Sequence, residues 1–467
     1  MVMRRRPLQA RCKVRWHHGS GPVRTRPGLW RKLLVSTMPN QVSLLSTDLP
    51  QYIGQPIRIA GWIHRVRQLG GLTFIVLRDG LGLIQLVHQA GDGDLPHLTP
   101  DTAVSVEGIV AVESRAPGGV EIRRPTLTII AVAEEPLPVF LGGRELDIHL
   151  DGLLKARAVT LRHPQIRRIF QVQNALVQGF RHYLTRQGFT EVHTPKLVAG
   201  ASESGASVFE VNYFGQAAYL AQSPQLYKQM LVGVFSRVFE VGPVFRAEPH
   251  ATSRHLSEYM SLDLEMGFIQ DHRAVMAECR NVLDAMLREA AGEGASDADA
   301  WPQVPEVIPV IHFSDAVAKV SRALGEDVTR EPDLAPAHEA WLGEWAMAEF
   351  GSDFLFVEGY PLRTRPFYTH EDPARPSYSN SFDLLFRGQE IVTGGQRLHQ
   401  YEDYIRALEQ RGMSVHGLEH YLEVFRYGMP PHGGLAIGLE RLTARLMQLG
   451  NIREACLFPR DRARLTP

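Results

Sequence analysis

Between about Ile57 and Ile130, apolar and polar residues alternate in short runs broken by turn residues, the period of half-buried strands. The runs are Ile57–Ile63, Leu72–Asp79 after a Gly70-Gly71 turn, Gly82–Val87, Val104–Val112 and Leu127–Ile130. Five strands at this spacing predict a small OB-type barrel, whose face can stack unpaired bases but which also serves sugars and proteins. Downstream the period changes. Residues 163–188 carry apolar positions at helical spacing and stop at Gly188, and Phe189–Pro195 reads as a strand ending in proline. Ser236–Phe245 and Tyr259–Met266 alternate again, which predicts two antiparallel strands joined by a long loop. Residues 270 to about 350 read as helical support, mainly Val275–Ala290 and Phe313–Leu324, with no chemistry assigned. Gly428–Leu442 reads as a glycine-rich strand turning into a helix.

The expected organisation is an α+β multidomain chain. Residues 38–136 form the five-stranded OB barrel. Residues 137–162 form a hinge, with Gly142-Gly143, prolines and a short helix around Leu153–Arg157. Residues 163–467 form a larger domain in which helices flank an antiparallel sheet.

Composition narrows the partners. The net charge is −1, so a nucleic-acid partner has to be met by local basic surface rather than by a global field. No apolar run reaches the roughly 18–20 residues of a membrane span. Cys12, Cys279 and Cys456 are too few and too scattered for a disulfide framework or a thiolate metal site, which fits a reducing cytoplasm. Residues 1–37 hold ten arginines and lysines and no Asp or Glu. Such an arm reads as a transit peptide, as a basic extension contacting phosphates, or as upstream sequence ahead of a true start at Met38. The last reading is preferred because the globular pattern begins just after Met38, and the arm is expected to be disordered.

Several polar groups suggest chemistry. Arg246 and Glu248, two apart on a strand, share a face. The arginine can fork onto a phosphate while the glutamate accepts from an amino group, although solvated cross-strand ion pairs would look the same. Gln225 offers an amide and Lys228 a point charge for a substrate carboxylate, although a lysine at a helix start is commonly just exposed. Asp383 and Glu390 lie seven apart across a glycine turn and suit Mg²⁺, which takes one or two protein carboxylates and keeps its waters.

The string Phe245-Arg246-Ala247-Glu248 to Arg254-His255-Leu256-Ser257-Glu258-Tyr259 resembles motif 2 of the class II aminoacyl-tRNA synthetases. Residues 163–195 are similar to motif 1, which builds the dimer interface in that family, and Gly428–Leu442 to motif 3. Gly61-Trp62-Ile63-His64, Leu69-Gly70-Gly71 and Phe74–Asp79 look like the anticodon-binding domain of class IIb enzymes for Asp, Asn and Lys. Gln222-Ser223-Pro224-Gln225-Leu226-Tyr227-Lys228, Gly394-Gly395-Gln396-Arg397 and the ending Phe458–Pro467 resemble the archaeal-type aspartyl-tRNA synthetases. The resemblance spans about Pro50 to the last residue.

That resemblance implies roles. Arg246 and Arg441 would stabilise charge at the α-phosphorus. Glu203, Gln225, Lys228, Asp263 and Arg397 would bind aspartate. Arg246, Glu248, Arg254, His255, Tyr259, Glu390 and Arg441 would bind ATP, and Asp383, Glu390 and Thr393 would hold Mg²⁺. Phe74 would stack on an anticodon base, with barrel core as its other reading, and Gln85 would read a base edge. ATP is then a substrate, L-aspartate and tRNA(Asp) the others, in a cytoplasmic homodimer. A neutral amide entering beside Lys228 and Arg397 would leave both cations unmatched, which favours aspartate over asparagine.

In archaeal-type relatives, histidine and proline at two barrel positions accompany relaxed tRNA choice, while tryptophan and lysine accompany strict choice. His64 and Pro117 stand there, which implies charging of tRNA(Asn) as well, with a tRNA-dependent amidotransferase downstream. Ordinary strand and loop roles remain open for both residues. A strictly discriminating enzyme, an asparagine-forming paralogue and an inactive tRNA-binding protein are the alternatives. The barrel argues against the second, and the presence of Arg246, Glu390 and Arg441 against the third.

Overall fold

The computed structural model describes residues 44–143, 145–200, 208–249, 252–292 and 301–466. They fall into two compact units divided between Pro136 and Leu137. The basic arm and Met38 lie outside the described residues.

The first unit is a closed barrel of β1 (Pro56–Leu69), β2 (Leu72–Arg78), β3 (Leu83–Gln89), β4 (Ala103–Val112) and β5 (Val120–Ala131), in the order β1-β2-β3-β5-β4. Ile57, Ile59, Ile63, Ile75, Leu77, Ile84, Leu86, Val104, Val106 and Ile122 fill its interior. These are the apolar members of the alternating runs, so the pleat alone sends them inward. β5 begins seven residues before the expected Leu127, counting from Val120. Glu121, Arg123, Arg124 and Thr126 interrupt the apolar pattern there, and Arg124 takes a left-handed φ of 49° next to Pro125.

The second unit is built on an eight-stranded sheet. Its strands are β6 (Thr190–Glu191), β10 (Arg237–Phe245), β11 (Glu258–Gly267), β12 (Val310–His312), β13 (Phe354–Glu358), β14 (Ser381–Phe386), β15 (Gln389–Gln396) and β16 (His432–Gly438). The order is β12-β13-β14-β15-β16-β11-β10-β6. Only β12–β13 and β10–β6 pair in parallel; all other neighbours are antiparallel. A separate small sheet comprises β7 (Leu197–Val198), β8 (Glu210–Tyr213) and β9 (Gln216–Leu220).

Helices Pro164–Arg186 and His272–Gly292 pack against one face of the large sheet through Leu176, Phe180, Val282, Leu283 and Met286. Gly179 is small because a Cβ there would sit 2.7 Å from the Met286 backbone, so the two helices can approach closely. The helix expected to stop at Gly188 does so, with Gly188 at φ 80°. The strand expected over Phe189–Pro195 shrinks to two residues, because β10 pairs only with Thr190 and Glu191. In the region read as helical support, strand β12 precedes helix Phe313–Leu324, and helix Pro336–Phe350 leads into strand β13 just beyond it.

Candidate active site

The β10–β11 pair runs in unbroken register from Arg237 opposite Met266 to Phe245 opposite Glu258. Tyr259, Ser261, Asp263 and Glu265 alternate along β11 and so share one face. The helix Gln225–Phe235 brings Lys228 over that face. Its Nζ lies 2.9 Å from Asp263 Oδ1 and 3.3 Å from Glu265 Oε2, and also donates to the Leu435 carbonyl at 3.2 Å. Arg397, just past β15, approaches from the other side. Its Nε donates to Glu265 Oε1 at 2.9 Å and its Nη2 to Gln225 Oε1 at 3.3 Å.

Burial pushes the Glu265 carboxyl up, but Arg397 and Lys228 more than offset this and hold it below the ordinary carboxylate range. Glycine at 434 makes room: a Cβ there would stand 2.1 Å from Glu265 Oε2. This arrangement corrects the expected basis of amino-acid choice. Lys228 and Arg397 are already matched by Asp263 and Glu265, so an incoming amide does not leave two bare cations.

The other end of the cavity is richer in arginine. The Arg246 guanidinium sits 5.8 Å from the centre of the Tyr259 ring. Arg441 Nη1 lies 3.4 Å from Glu390 Oε2. Arg254 is ion-paired with Glu339, whose Oε2 also accepts the Glu390 backbone N–H at 3.2 Å. The loop between β10 and β11 is held by the C-terminal segment: Ser257 donates to the Arg460 carbonyl, Arg453 to that of Thr252 and Arg462 to that of Pro249.

β14 and β15 form a hairpin turning at Arg387 (φ 47°) and Gly388 (φ 71°), and Asp383 faces Thr393 across it. Thr393 Oγ1 donates to Asp383 Oδ1 at 2.6 Å. Arg365 grips the same pair, with Nη2 on Asp383 Oδ2 at 2.8 Å and Nη1 on Thr393 Oγ1 at 3.2 Å, and its guanidinium stacks 3.9 Å from the centre of the Tyr360 ring. Burial alone would lower the Arg365 pKa, but Asp383 raises it above the ordinary value.

Most of these groups line one cavity of about 360 Å³, with Glu265, Glu339 and Tyr360 behind its wall. Gln225, Lys228, Asp263, Arg397, Arg246, Glu248, Arg254, His255, Tyr259, Glu390, Arg441, Asp383 and Thr393 all border it. Glu203 lies outside the described residues. The donor set suits a hard cation only in part. Glu390 reaches the cavity with about a third of its side chain exposed, whereas Asp383 and Thr393 are bound to Arg365. Among the described residues no cluster of three or more His, Cys, Asp or Glu is arranged to hold a metal.

On the barrel, Phe74 faces Val87 and Gln85 faces Val76 across the β2–β3 pair, so Phe74 and Gln85 share the outer face, opposite buried Ile75 and Ile84. Phe74 is half-buried and has the Arg67 guanidinium 5.8 Å from its ring centre, so the barrel core is not its place. Gln85 Nε2 donates to Glu121 Oε2 at 3.0 Å. His64 is buried at a bulge in β1, and Pro117 is exposed at the start of the short turn before β5.

Comparison with known proteins places these features. The model for "tRNA synthetases class II (D, K and N)" matches residues 149–462, and that for "OB-fold nucleic acid binding domain" matches residues 57–130. The chain belongs to the class II tRNA synthetases of the D, K and N group. It is 47% identical to the aspartate–tRNA(Asp/Asn) ligase of Thermus thermophilus over 91% of this chain and 100% of that protein. Identity to the aspartate–tRNA(Asp/Asn) ligase of Deinococcus radiodurans is 44%, covering 91% and 98%. The crystal structure of asparaginyl-tRNA synthetase from Pyrococcus horikoshii complexed with asparaginyl-adenylate superposes with a TM-score of 0.83 at 32% identity, covering 92% of this chain and 100% of that one.

The synthetase motifs do not announce every residue of the cavity. Arg365 and Asp333 also line it, and Glu339 braces Arg254 from a helix that the sequence marks only as support. Arg365 and Asp333 lie in loops without periodic pattern. Glu339 sits in a helix whose signal is packing, so only the fold brings these residues together.

Proposed function

We propose that this synthetase activates L-aspartate with ATP and transfers it to both tRNA(Asp) and tRNA(Asn). The observation that carries the reading is the convergence of the aspartate-type and ATP-type side chains on a single cavity. The names of the Thermus and Deinococcus relatives, together with His64 and Pro117, support the relaxed tRNA choice.

In the first step an α-carboxylate oxygen of aspartate attacks the α-phosphorus, a P–O bond forms, and pyrophosphate leaves. A carboxylate is already a nucleophile, so positioning and charge stabilisation are the main requirements. Arg246 and Arg441, both on the cavity wall, would stabilise the charge that builds there, and Tyr259 and Arg441 would cover the faces of adenine. In the second step a hydroxyl of the terminal ribose of tRNA takes the aspartyl group and AMP leaves.

Lys228, Arg397, Gln225, Asp263 and Glu203 would orient aspartate. Because the cluster is already neutral, selectivity rests on how the Asp263 and Glu265 carboxylates share Lys228 and Arg397 with the substrate. Glu390 would hold Mg²⁺, which when bound neutralises phosphate charge. Phe74 and Gln85 would meet the anticodon.

A homodimer, a cytoplasmic location and an amidotransferase acting on Asp-tRNA(Asn) complete the reading. Among the described residues no helix is long and apolar enough to cross a membrane.

The test is aspartylation of tRNA(Asp) and tRNA(Asn) transcripts side by side, with aspartate-dependent ATP–pyrophosphate exchange as the measure of the first step. Comparable charging of both is expected. Charging of tRNA(Asp) alone would leave a strict aspartyl enzyme.

A further inference from the structure

Lys228 and Arg397 stand on separate pieces of chain. Lys228 belongs to the helix Gln225–Phe235, and Arg397 follows β15 with Leu398 next to it. On the cavity side the two pieces meet where Arg397 Nη2 reaches Gln225 Oε1 at 3.3 Å. A second connection runs through Gln229, Tyr404 and Tyr421, none of which borders the cavity. Tyr404, on the helix Tyr401–Gln410, places its hydroxyl 2.9 Å from Gln229 Oε1 and 2.9 Å from the Leu398 carbonyl oxygen. The Tyr421 hydroxyl lies 2.6 Å from the same Gln229 oxygen and 3.0 Å from the Tyr404 oxygen.

Gln229 and Tyr404 are fully buried and Tyr421 nearly so, so these bonds do not compete with water. Each phenol carries one proton, and the pair shares its two protons among Gln229, Leu398 and one another. Burial raises the pKa of both hydroxyls and keeps them protonated. The rings are held by other means. The Tyr404 ring centre lies 4.2 Å from that of Phe425 and 6.3 Å from that of Phe367, in an apolar cluster that includes Leu408 and Leu422. Phenylalanine would fill such a cluster equally well, so packing alone does not account for the two hydroxyls. What they add is a tie between Gln229, one helical turn beyond Gln225 and adjacent to Lys228, and Leu398, adjacent to Arg397.

We propose that Tyr404 is a positioning residue for the amino-acid step. Its hydroxyl, together with that of Tyr421, ties the helix bearing Gln225 and Lys228 to the segment bearing Arg397. The tie fixes the spacing of the two cations that share Asp263 and Glu265, and a small error in that spacing is expensive because binding groups act only in the right geometry. Tyr404 itself touches no substrate. The inference rests on the reading that sets aspartate against Lys228 and Arg397, and its test separates the two.

The experiment is ATP–pyrophosphate exchange by the full chain, with aspartate and ATP varied in turn and thermal melts to show that each variant is folded. Tyr404→Phe is expected to raise KM for aspartate by roughly five- to tenfold while KM for ATP stays within about twofold of the parent. Tyr421→Phe should move the same constant in the same direction by about two- to fivefold, and it carries the test alone where Tyr404→Phe melts below the assay temperature. Arg397→Lys loses the planar fork and should raise KM for aspartate by about tenfold or more. Adding Tyr404→Phe to Arg397→Lys should then cost less than about twofold further, because the hydroxyl acts through the placement of that fork. Full additivity, or parallel rises in both KM values, would overturn the proposal by making Tyr404 a packing residue only. An unchanged KM for aspartate in Tyr404→Phe beside an impaired Arg397→Lys would overturn it and leave the aspartate reading standing. Unchanged values in both variants would overturn the proposal and that reading together.

Discussion

Lys228 and Asp263 meet at 2.9 Å with both side chains 2% exposed, and Glu265 completes the cluster from the same strand at 3.3 Å. A buried pair of this kind does little for net stability while intact but is costly to break, because the remaining charge has neither water nor partner. Lys228→Met is therefore expected to destabilise the second unit by about 3–5 kcal/mol and to abolish aspartate-dependent pyrophosphate exchange. Denaturant unfolding is the check. The double variant Lys228→Met/Asp263→Asn should recover part of the stability without recovering activity, and strict additivity of the two changes would refute the coupling.

Glu339 belongs to a helix that carries no motif, yet it holds Arg254 and accepts the Glu390 N–H. Burial raises its pKa, while Arg254 acts in the opposite direction. Glu339→Gln keeps the shape and removes the charge that fixes Arg254. The expected result is a rise of about five- to twentyfold in KM for ATP, with KM for aspartate nearly unchanged, since roughly 1–2 kcal/mol of charge-assisted bonding is lost. An equal rise in both constants would mean that Glu339 supports the cavity only as packing.

Glu440 is buried beside Arg441 and accepts the Met260 N–H with both oxygens at 3.1 Å. Burial pushes its carboxyl up to about 7. The folded state therefore holds a proton that the unfolded chain has lost, so stability is greatest below about pH 4.5 from this group and falls as pH rises from there to about 7. The loss is on the order of 1–3 kcal/mol, because each tenfold difference in proton affinity between the folded and unfolded chain is worth about 1.4 kcal/mol. Urea midpoints at pH 5 and pH 7.5 should diverge more in the parent than in Glu440→Gln; equal divergence would place the pH dependence elsewhere.

Much of this is legible in the sequence because the relevant signals are local. The five alternating runs place Ile59, Ile75 and Leu86 inside a barrel without help from the rest of the chain, and the helix read at Phe313–Leu324 is found over those residues. Arg246, Glu248, Glu390 and Arg441 sit in strings dense enough to be read together. Arg365 cannot be found this way. It is an arginine in an irregular loop, and its importance comes from a stack on Tyr360 and a fork across β14 and β15 that only tertiary structure creates. Charge pairing is hidden for the same reason: the sequence shows Lys228 and Arg397 as cations for a substrate, and only the folded sheet sets Asp263 and Glu265 against them.

On the barrel, Phe74 and Gln85 share an outer face, with Arg67 against the ring and Glu121 holding the Gln85 amide. A stacked base is worth about 1–3 kcal/mol. Phe74→Ala should lower kcat/KM for tRNA by roughly ten- to a hundredfold and leave pyrophosphate exchange without tRNA unchanged. A fall in both would indicate a damaged barrel rather than a lost base contact.

Relaxed tRNA choice makes the sharpest demand on the barrel, because tRNA(Asp) and tRNA(Asn) share two anticodon bases and differ at the third. His64 lies at the β1 bulge and Pro117 at the turn before β5, positions where the resemblance associates tryptophan and lysine with strict enzymes. His64→Trp combined with Pro117→Lys is expected to reduce charging of tRNA(Asn) at least tenfold while charging of tRNA(Asp) changes less than threefold. His64 is 9% exposed, so the larger indole will strain the bulge, at about 1–3 kcal/mol for an overpacked site. Pro117 is exposed and carries no such cost, which makes Pro117→Lys alone the control for folding. A proportional loss with both tRNAs would mean that the pair supports the barrel and does not read the third base.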